Sequence, residues 1–279
     1  MIADGKAIAR LLSEQIARAI RMFPEKLALD IVVVGENPII EGFIRTKKRI
    51  ANELGVSLVE HRFPETITEE SLLFEVKKIA IRDEVLGLII QLPLPEEIRT
   101  QEILNAVPIE KDVDMLSSGS IAAFARGDAP IIPPVAGAIM EILDSAAISV
   151  AGKEVLVLGH GRLVGIPASI LMRHNGAHVT IIDQEISDLK EHVRESAIII
   201  CGVGKPSLIT PDMLTFGTVL IDAGTSEAGK KVVGDADPDC AKVTSLFTPV
   251  PGGVGPVAIM MIFKNLYMLA QKKTNTSPG

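Results

Sequence analysis

Cysteine is scarce in this chain of 279 residues: Cys201 and Cys240 are the only two. They form no C-x-x-C pair and no disulfide framework, which fits a reducing cytoplasm. An excess of positive charge is lacking too. With 28 basic against 35 acidic residues the formal net charge is -7. That balance argues against a nucleic-acid footprint and against attraction to an anionic membrane surface. No apolar run approaches the roughly 18 residues expected of a membrane span. The start, Met1-Ile2-Ala3-Asp4-Gly5-Lys6, has an acid and a glycine where a signal peptide has a basic start and an apolar run. Sequence repeats, low-complexity tracts and long linkers are absent, as are a G-x-S-x-G elbow and a P-loop.

What is present is apolar and α/β in pattern. Hydrophobic residues make up 47% of the chain, enough for a sizeable core, and the length suggests two domains of roughly 150 residues each. Two blocks of alternating strand and helix signals appear. The first has a strand at Leu27–Val34, a helix over Pro38–Leu54 with Asn37 as N-cap, and a strand at Val56–His61. A helix from Thr68-Glu69-Glu70 and a strand at Val85–Gln91 complete it. The second has strands at Val155–Leu158, Val179–Ile182, Ala197–Ile200 and Val219–Ile221. A helix runs through Ala168–Met172, and a last one over Pro256–Gln271. Continuous apolar strands of this kind belong to buried parallel sheets. Pro130–Pro134 marks the boundary between the blocks.

One charge is out of place. Ile40, Phe43, Ile44, Ile50, Ala51 and Leu54 lie within about 60° of one direction on the predicted helix, and Lys47 sits in the middle of that stripe. Either the lysine snorkels out of a core-facing stripe, or it is held in a partly apolar cleft. In a cleft, desolvation lowers its pKa and suits it to acid–base chemistry. Gln91 ends a strand of the same sheet, on the edge where open α/β sheets place ligands. Lys111-Asp112-Val113-Asp114 reads by itself as a surface salt-bridge loop.

Gly159-His160-Gly161-Arg162-Leu163-Val164-Gly165 follows a strand and opens a helix. Glycines let a backbone approach a pyrophosphate, and a helix N-terminus favours its charge. The spacing is G-x-G-x-x-x-G, one residue longer than the usual dinucleotide fingerprint. Asp183 ends the next strand, where a ribose-binding acid belongs. His174 and His178 are not a helical metal pair, because Asn175-Gly176 ends the helix between them. His61, His160 and His192 have no carboxylate or cysteine at ligand spacing, and no metal is expected.

Several of these stretches coincide with one family. Gln91–Pro95, Lys111–Asp114, Val233-Gly234-Asp235 and Thr248–Pro256 resemble the signatures of methylenetetrahydrofolate dehydrogenase/cyclohydrolase. The resemblance runs from Asp4-Gly5-Lys6 to the last helix. It implies an N-terminal three-layer α/β folate-binding domain (1–136, completed by the C-terminal helix, 255–279) and an inserted Rossmann-like nucleotide-binding domain (137–254). Folate would lie in the cleft between them, and the chain would pair as a homodimer through the nucleotide domain.

The same resemblance implies roles. Lys47, assisted by Gln91, would turn over the methenyl carbon, and Asp114 would hold the pterin. Phe43 would stack on the aminobenzoyl ring. Pro251, Gly252, Gly253, Val254, Gly255 and Pro256 would border folate and nicotinamide. Gly159, His160, Gly161, Arg162, Asp183 and Thr225 would meet the nucleotide. The sequence departs from the family pattern at Phe43, where tyrosine is usual, and at Ile40, where serine is. Further departures are Met115 for glycine, Gly161 for serine, Ala258 for threonine and Pro133–Gly137 for a Cys-Thr-Pro-basic-Gly segment. His160 replaces an arginine. The expected activities are oxidation of 5,10-methylenetetrahydrofolate with NADP and hydrolysis of the methenyl product, with no metal. Asp183 argues instead for NAD. A dehydrogenase without the hydrolase, and a non-catalytic folate- or nucleotide-binding protein, are the alternatives.

Overall fold

The computed structural model describes residues 1–183, 188–228 and 231–276. Contacts divide the chain into two units, Met1–Leu12 with Val135–Met261 and Ser13–Pro134 with Ile262–Gly279. Compared with the division drawn from the sequence, the first twelve residues and the start of the last helix group with the nucleotide-side unit.

Helix α1 (Gly5–Arg21) opens the chain. Then come β1 (Ala28–Val34), α2 (Pro38–Leu54), β2 (Ser57–Phe63), α3 (Glu69–Ala80) and β3 (Gly87–Ile90). The strands form a parallel sheet in the order β2-β1-β3. β1 is buried along nearly its whole length, which is why it reads as an unbroken apolar run. Helices α2 and α3 are the crossovers that parallel pairing requires. α2 starts where Pro38 needs no donor and Asn37 Oδ1 accepts from the Ile40 N–H at 3.3 Å. At α3, Thr68 Oγ1 accepts from the Ser71 N–H at 3.3 Å. The core joins Val32, Leu72, Val76 and Ile103, and α4 (Thr100–Leu104) and α5 (Ser118–Arg126) close this stretch.

Helix α6 (Pro134–Ser145) leads into β4 (Glu154–Leu158), α7 (Gly165–His174), β5 (His178–Ile182), α8 (Leu189–Glu195) and β6 (Ile198–Cys201). Next come β7 (Val219–Asp222), an antiparallel ribbon of β8 (Ser226–Ala228) and β9 (Lys231–Val233), β10 (Leu246–Phe247) and α9 (Val254–Thr276). The main sheet is parallel, in the order β10-β7-β6-β4-β5. β5 lies on one side of β4 and β6 on the other, so the strand order reverses between β4 and β6. The carboxyl edge at that point is where such sheets bind ligands.

Two expectations need correction. Helix α9 is long and apolar enough to cross a membrane, with mean hydropathy 1.3, although 56% of the stretch is buried inside the protein. Counting uninterrupted apolar residues missed it because Lys264 and Asn265 break the run. Phe263 and Leu266 of this helix are fully buried, and its apolar character serves a protein core. Lys111 is no surface salt bridge: its Nζ donates to the carbonyls of Ala80 and Arg82, both at 2.7 Å, and so ties down the end of α3.

Candidate active site

Lys47 is buried, at 7% exposure, so the snorkelling reading fails. Its Nζ donates to Gln91 Oε1 at 2.7 Å. The Gln91 amide is oriented by its own Nε2, which donates to the Leu92 carbonyl at 2.9 Å, and so it turns its oxygen to the lysine. Burial pushes the Lys47 pKa down, and the Asp114 carboxylate partly offsets this. Burial likewise holds the Asp114 carboxyl up, at about 6, against the opposing charge of Lys47 and with a further push from Asp112. Two electrostatically coupled groups of opposite charge are thus each biased toward neutrality, a recurring mark of a reactive site.

The backbone around Asp114 is built for the purpose. Asp112 accepts from the N–H groups of Leu116 at 3.3 Å and Ser117 at 2.9 Å. Met115, standing where the resemblance expects glycine, is in the left-handed region at φ 55°, which costs a side-chain-bearing residue about 1–2 kcal/mol. Asn265, from α9, donates to the carbonyls of Val113 at 2.9 Å and Ile132 at 2.8 Å. Phe43 on α2 is 43% exposed, leaving its ring available for stacking, whereas Ile40 is buried.

The glycine turn lies in the other unit. Gly159 has φ 94°, and its N–H donates to the Ile182 carbonyl at 2.8 Å. A Cβ at Gly165 would overlap the Gly159 carbonyl, so that glycine is required for the turn to meet α7. A Cβ at Gly161 would meet nothing, so the turn is open there to a ligand. Asp183 Oδ1 accepts from the His160 N–H at 3.1 Å. That bond places the carboxylate at the mouth of the turn. Thr225 is exposed beyond the end of β7.

Pro251–Pro256 belongs with this second group. Gly252 has φ 111°, the Gly253 N–H donates to the Pro249 carbonyl at 2.7 Å, and α9 begins at Val254. Gly5 has no room for a Cβ because the Gly253 carbonyl fills that space, which accounts for the Asp4-Gly5-Lys6 signature.

Sequence reasoning gave no role to Asn265, Asp222 or Asp235. For the two aspartates a signal existed: Asp222-Ala223-Gly224 and Gly234-Asp235 each place a glycine beside an acid. Cys201, Asp222 and Asp235 bring potential metal-ligating atoms within 4.8 Å of one another. Both carboxylates are already engaged by backbone N–H groups. Burial holds the Cys201 thiol in its protonated form. Hydrogen bonding within the protein accounts for the cluster.

A parallel sheet with a glycine turn at its switch point, together with a second α/β unit carrying a desolvated lysine, defines a nucleotide-binding enzyme of two α/β units. Comparison with known proteins narrows this. Residues 3–114 match the model of the tetrahydrofolate dehydrogenase/cyclohydrolase catalytic domain, and 133–274 that of the NAD(P)-binding domain of the same family. The chain is 37% identical over 276 residues to bifunctional protein FolD 2 of Geobacter metallireducens, covering 97% of each. It is 36% identical over 277 residues to bifunctional protein FolD of Staphylococcus aureus, covering 97% of this chain and 96% of that one. Among solved structures, the Trypanosoma brucei methylenetetrahydrofolate dehydrogenase-cyclohydrolase, complexed with NADP cofactor and inhibitor, superposes with a TM-score of 0.94 at 27% identity, covering 99% of each chain. The Campylobacter jejuni enzyme gives 0.93 at 28%, covering 98% of this chain and 99% of that one. The chain belongs to the tetrahydrofolate dehydrogenase/cyclohydrolase family.

Proposed function

We propose that this protein oxidises 5,10-methylenetetrahydrofolate to the 5,10-methenyl form with NADP and then hydrolyses the methenyl form to 10-formyltetrahydrofolate. The observation that carries the reading is the buried Lys47, bonded to Gln91 and electrostatically coupled to Asp114. NADP would supply the hydride acceptor for the methylene carbon. The open glycine turn of Gly159–Arg162 would hold it, and Thr225 and Pro251–Pro256 would line its approach. The 13–134 unit would bind folate, and the 135–261 unit the nucleotide.

The chain's own residues then have distinct tasks. Asp114, ionised above about 6, accepts from the pterin amino group and ring N–H and fixes the substrate's position. Phe43 packs on the aminobenzoyl ring. In the hydrolysis, water adds to the cationic methenyl carbon and gives up one proton; the bond from that carbon to N5 then breaks as the remaining hydroxyl proton passes to N5, and the formyl group stays on N10. One proton is released overall. Lys47, held toward its neutral form by burial, tolerates the cationic substrate and takes the proton from the attacking water. Gln91 keeps the amine pointed at that carbon. The family's phenol hydroxyl is missing at Phe43, so Lys47 and Gln91 act without it. The enzyme would work in the cytoplasm as a homodimer paired through its nucleotide unit.

Two assays on purified protein test this. Formation of reduced cofactor from methylenetetrahydrofolate and NADP reports the oxidation, and decay of methenyl absorbance without nucleotide reports the hydrolysis. Oxidation without hydrolysis would leave a dehydrogenase alone, and binding without either would leave a carrier.

A further inference from the structure

The ends of β6 and β7 lie side by side, with Cys201 opposite Asp222. Beyond them two buried aspartates organise the loops. Asp235, fully buried, accepts from three successive backbone N–H groups: Val203 at 2.6 Å, Gly204 at 3.2 Å and Lys205 at 2.8 Å. Asp222, 1% exposed, accepts from Gly224 at 2.9 Å, Asp235 at 3.1 Å and Ala236 at 2.8 Å. The Thr248 hydroxyl accepts from the Asp222 N–H at 2.6 Å and donates to the Asp222 carbonyl at 3.1 Å. The packing is reciprocal. A Cβ at Gly224 would strike the Asp235 carboxylate, and one at Gly234 would strike that of Asp222. Each glycine therefore makes room for the other loop's acid.

The 202–205 loop backs directly onto the glycine turn. A Cβ at Gly159 would lie 3.1 Å from the Gly202 carbonyl, and one at Gly202 would run into Val164. Three segments on the carboxyl edge (202–205, 223–225 and 248–253) are thus tied together by Asp235, Asp222 and Thr248. Three converging N–H groups form an anion-binding nest, and here the anion is built into the chain.

We propose that Asp235 is a positioning residue for the nicotinamide nucleotide. It fixes the 203–205 backbone as the rear wall of the glycine turn and does not itself touch the cofactor. Charge-assisted bonds to backbone N–H groups are about twice as strong as neutral ones, so a single carboxylate that accepts three of them can hold this loop. The proposal rests on the nucleotide binding at the Gly159 turn put forward above.

The test compares Asp235→Asn with the wild type. The amide is nearly isosteric, but one of its two arms is a donor and faces N–H groups. The Kd for NADP, by calorimetry, and its KM should rise on the order of tenfold or more. The kcat at saturating nucleotide should change far less. Methenyl hydrolysis, which needs no nucleotide, should stay within about twofold, as a merely destabilised protein would not allow. If Asp235→Asn does not fold, Thr248→Val removes the hydroxyl clamp on Asp222 without touching either carboxylate, and should move nucleotide KM in the same direction. Unchanged nucleotide binding, or an equal loss of both activities, overturns the proposal. So does a stoichiometric divalent metal in the purified protein that Asp235→Asn releases. A wild type that binds no nucleotide at all overturns the functional reading as well, whereas wild-type binding with an indifferent variant overturns this inference alone.

Discussion

Lys47 and Gln91 meet at 2.7 Å inside the protein, amine to amide oxygen, 44 residues apart in the chain. Among the described residues neither is paired with a carboxylate by hydrogen bond, so the lysine is oriented without being fixed in its charged form. Lys47→Met keeps the length and removes the amine. Methenyl hydrolysis should fall about 10²–10⁴-fold, while oxidation of methylenetetrahydrofolate falls less. Circular dichroism should show an intact fold. Wild-type hydrolysis in this variant would remove Lys47 from the mechanism.

Asp114 gives a pH dependence with a definite sign. Its folded carboxyl titrates at about 6 against an ordinary 3.8, so between these values the folded state holds more protons than the unfolded one. The stability it contributes is full below the unfolded value and is lost as pH rises through about 6. Binding runs the other way, because the pterin contact needs the carboxylate. The KM for folate should climb as pH falls through about 6. Asp114→Asn should flatten both curves, and should gain stability over the wild type between about pH 4 and pH 7. Parallel pH curves for variant and wild type would show that Asp114 is not the titrating anchor.

The choice of nucleotide turns on Asp183, held against the His160 N–H. A carboxylate there repels a 2′-phosphate, and the guanidinium of Arg162 attracts it. Asp183→Asn should raise the ratio of kcat/KM for NADP over NAD by about tenfold. A firm NAD preference in the wild type would give the decision to Asp183.

Asn265 is 1% exposed and donates to the carbonyls of Val113, immediately before Asp114, and of Ile132. Asn265→Leu should cost about 1–3 kcal/mol in urea unfolding, since both carbonyls lose their donor. It should also raise the folate KM with little change in nucleotide KM. An unaltered folate KM would reduce Asn265 to packing.

Much of this was legible beforehand for a physical reason. α2 was read with the bounds it has, because Asn37-Pro38 is a strong local start signal and its apolar stripe is regular. The lysine stood out because one charge interrupted that stripe. The short β8–β9 ribbon and α1 escaped notice. The ribbon is three residues a side, too short for a period to register. The Asp222–Asp235 arrangement was hidden for another reason: its partners are main-chain N–H groups, which every sequence has and none displays. Asn265 looked like an interruption of an apolar helix, and only the fold reveals the two carbonyls beneath it.

The unit containing Lys47 is assembled from two distant stretches of chain, Ser13–Pro134 and Ile262 onward. Leu266 fills the space over Gly87, Asn265 reaches Val113 and Ile132, and Lys273 Nζ donates to the Asp83 carbonyl at 2.8 Å. During synthesis, more than 120 residues of intervening chain emerge before that helix can arrive. The nucleotide-side sheet has all of its strands by Phe247 and is ready first. A chain cut after residue 261 would hold every strand of its nucleotide sheet, while the unit that carries Lys47 would lack Asn265, Leu266 and Lys273, so acid–base chemistry at Lys47 waits for the stretch from Ile262 onward.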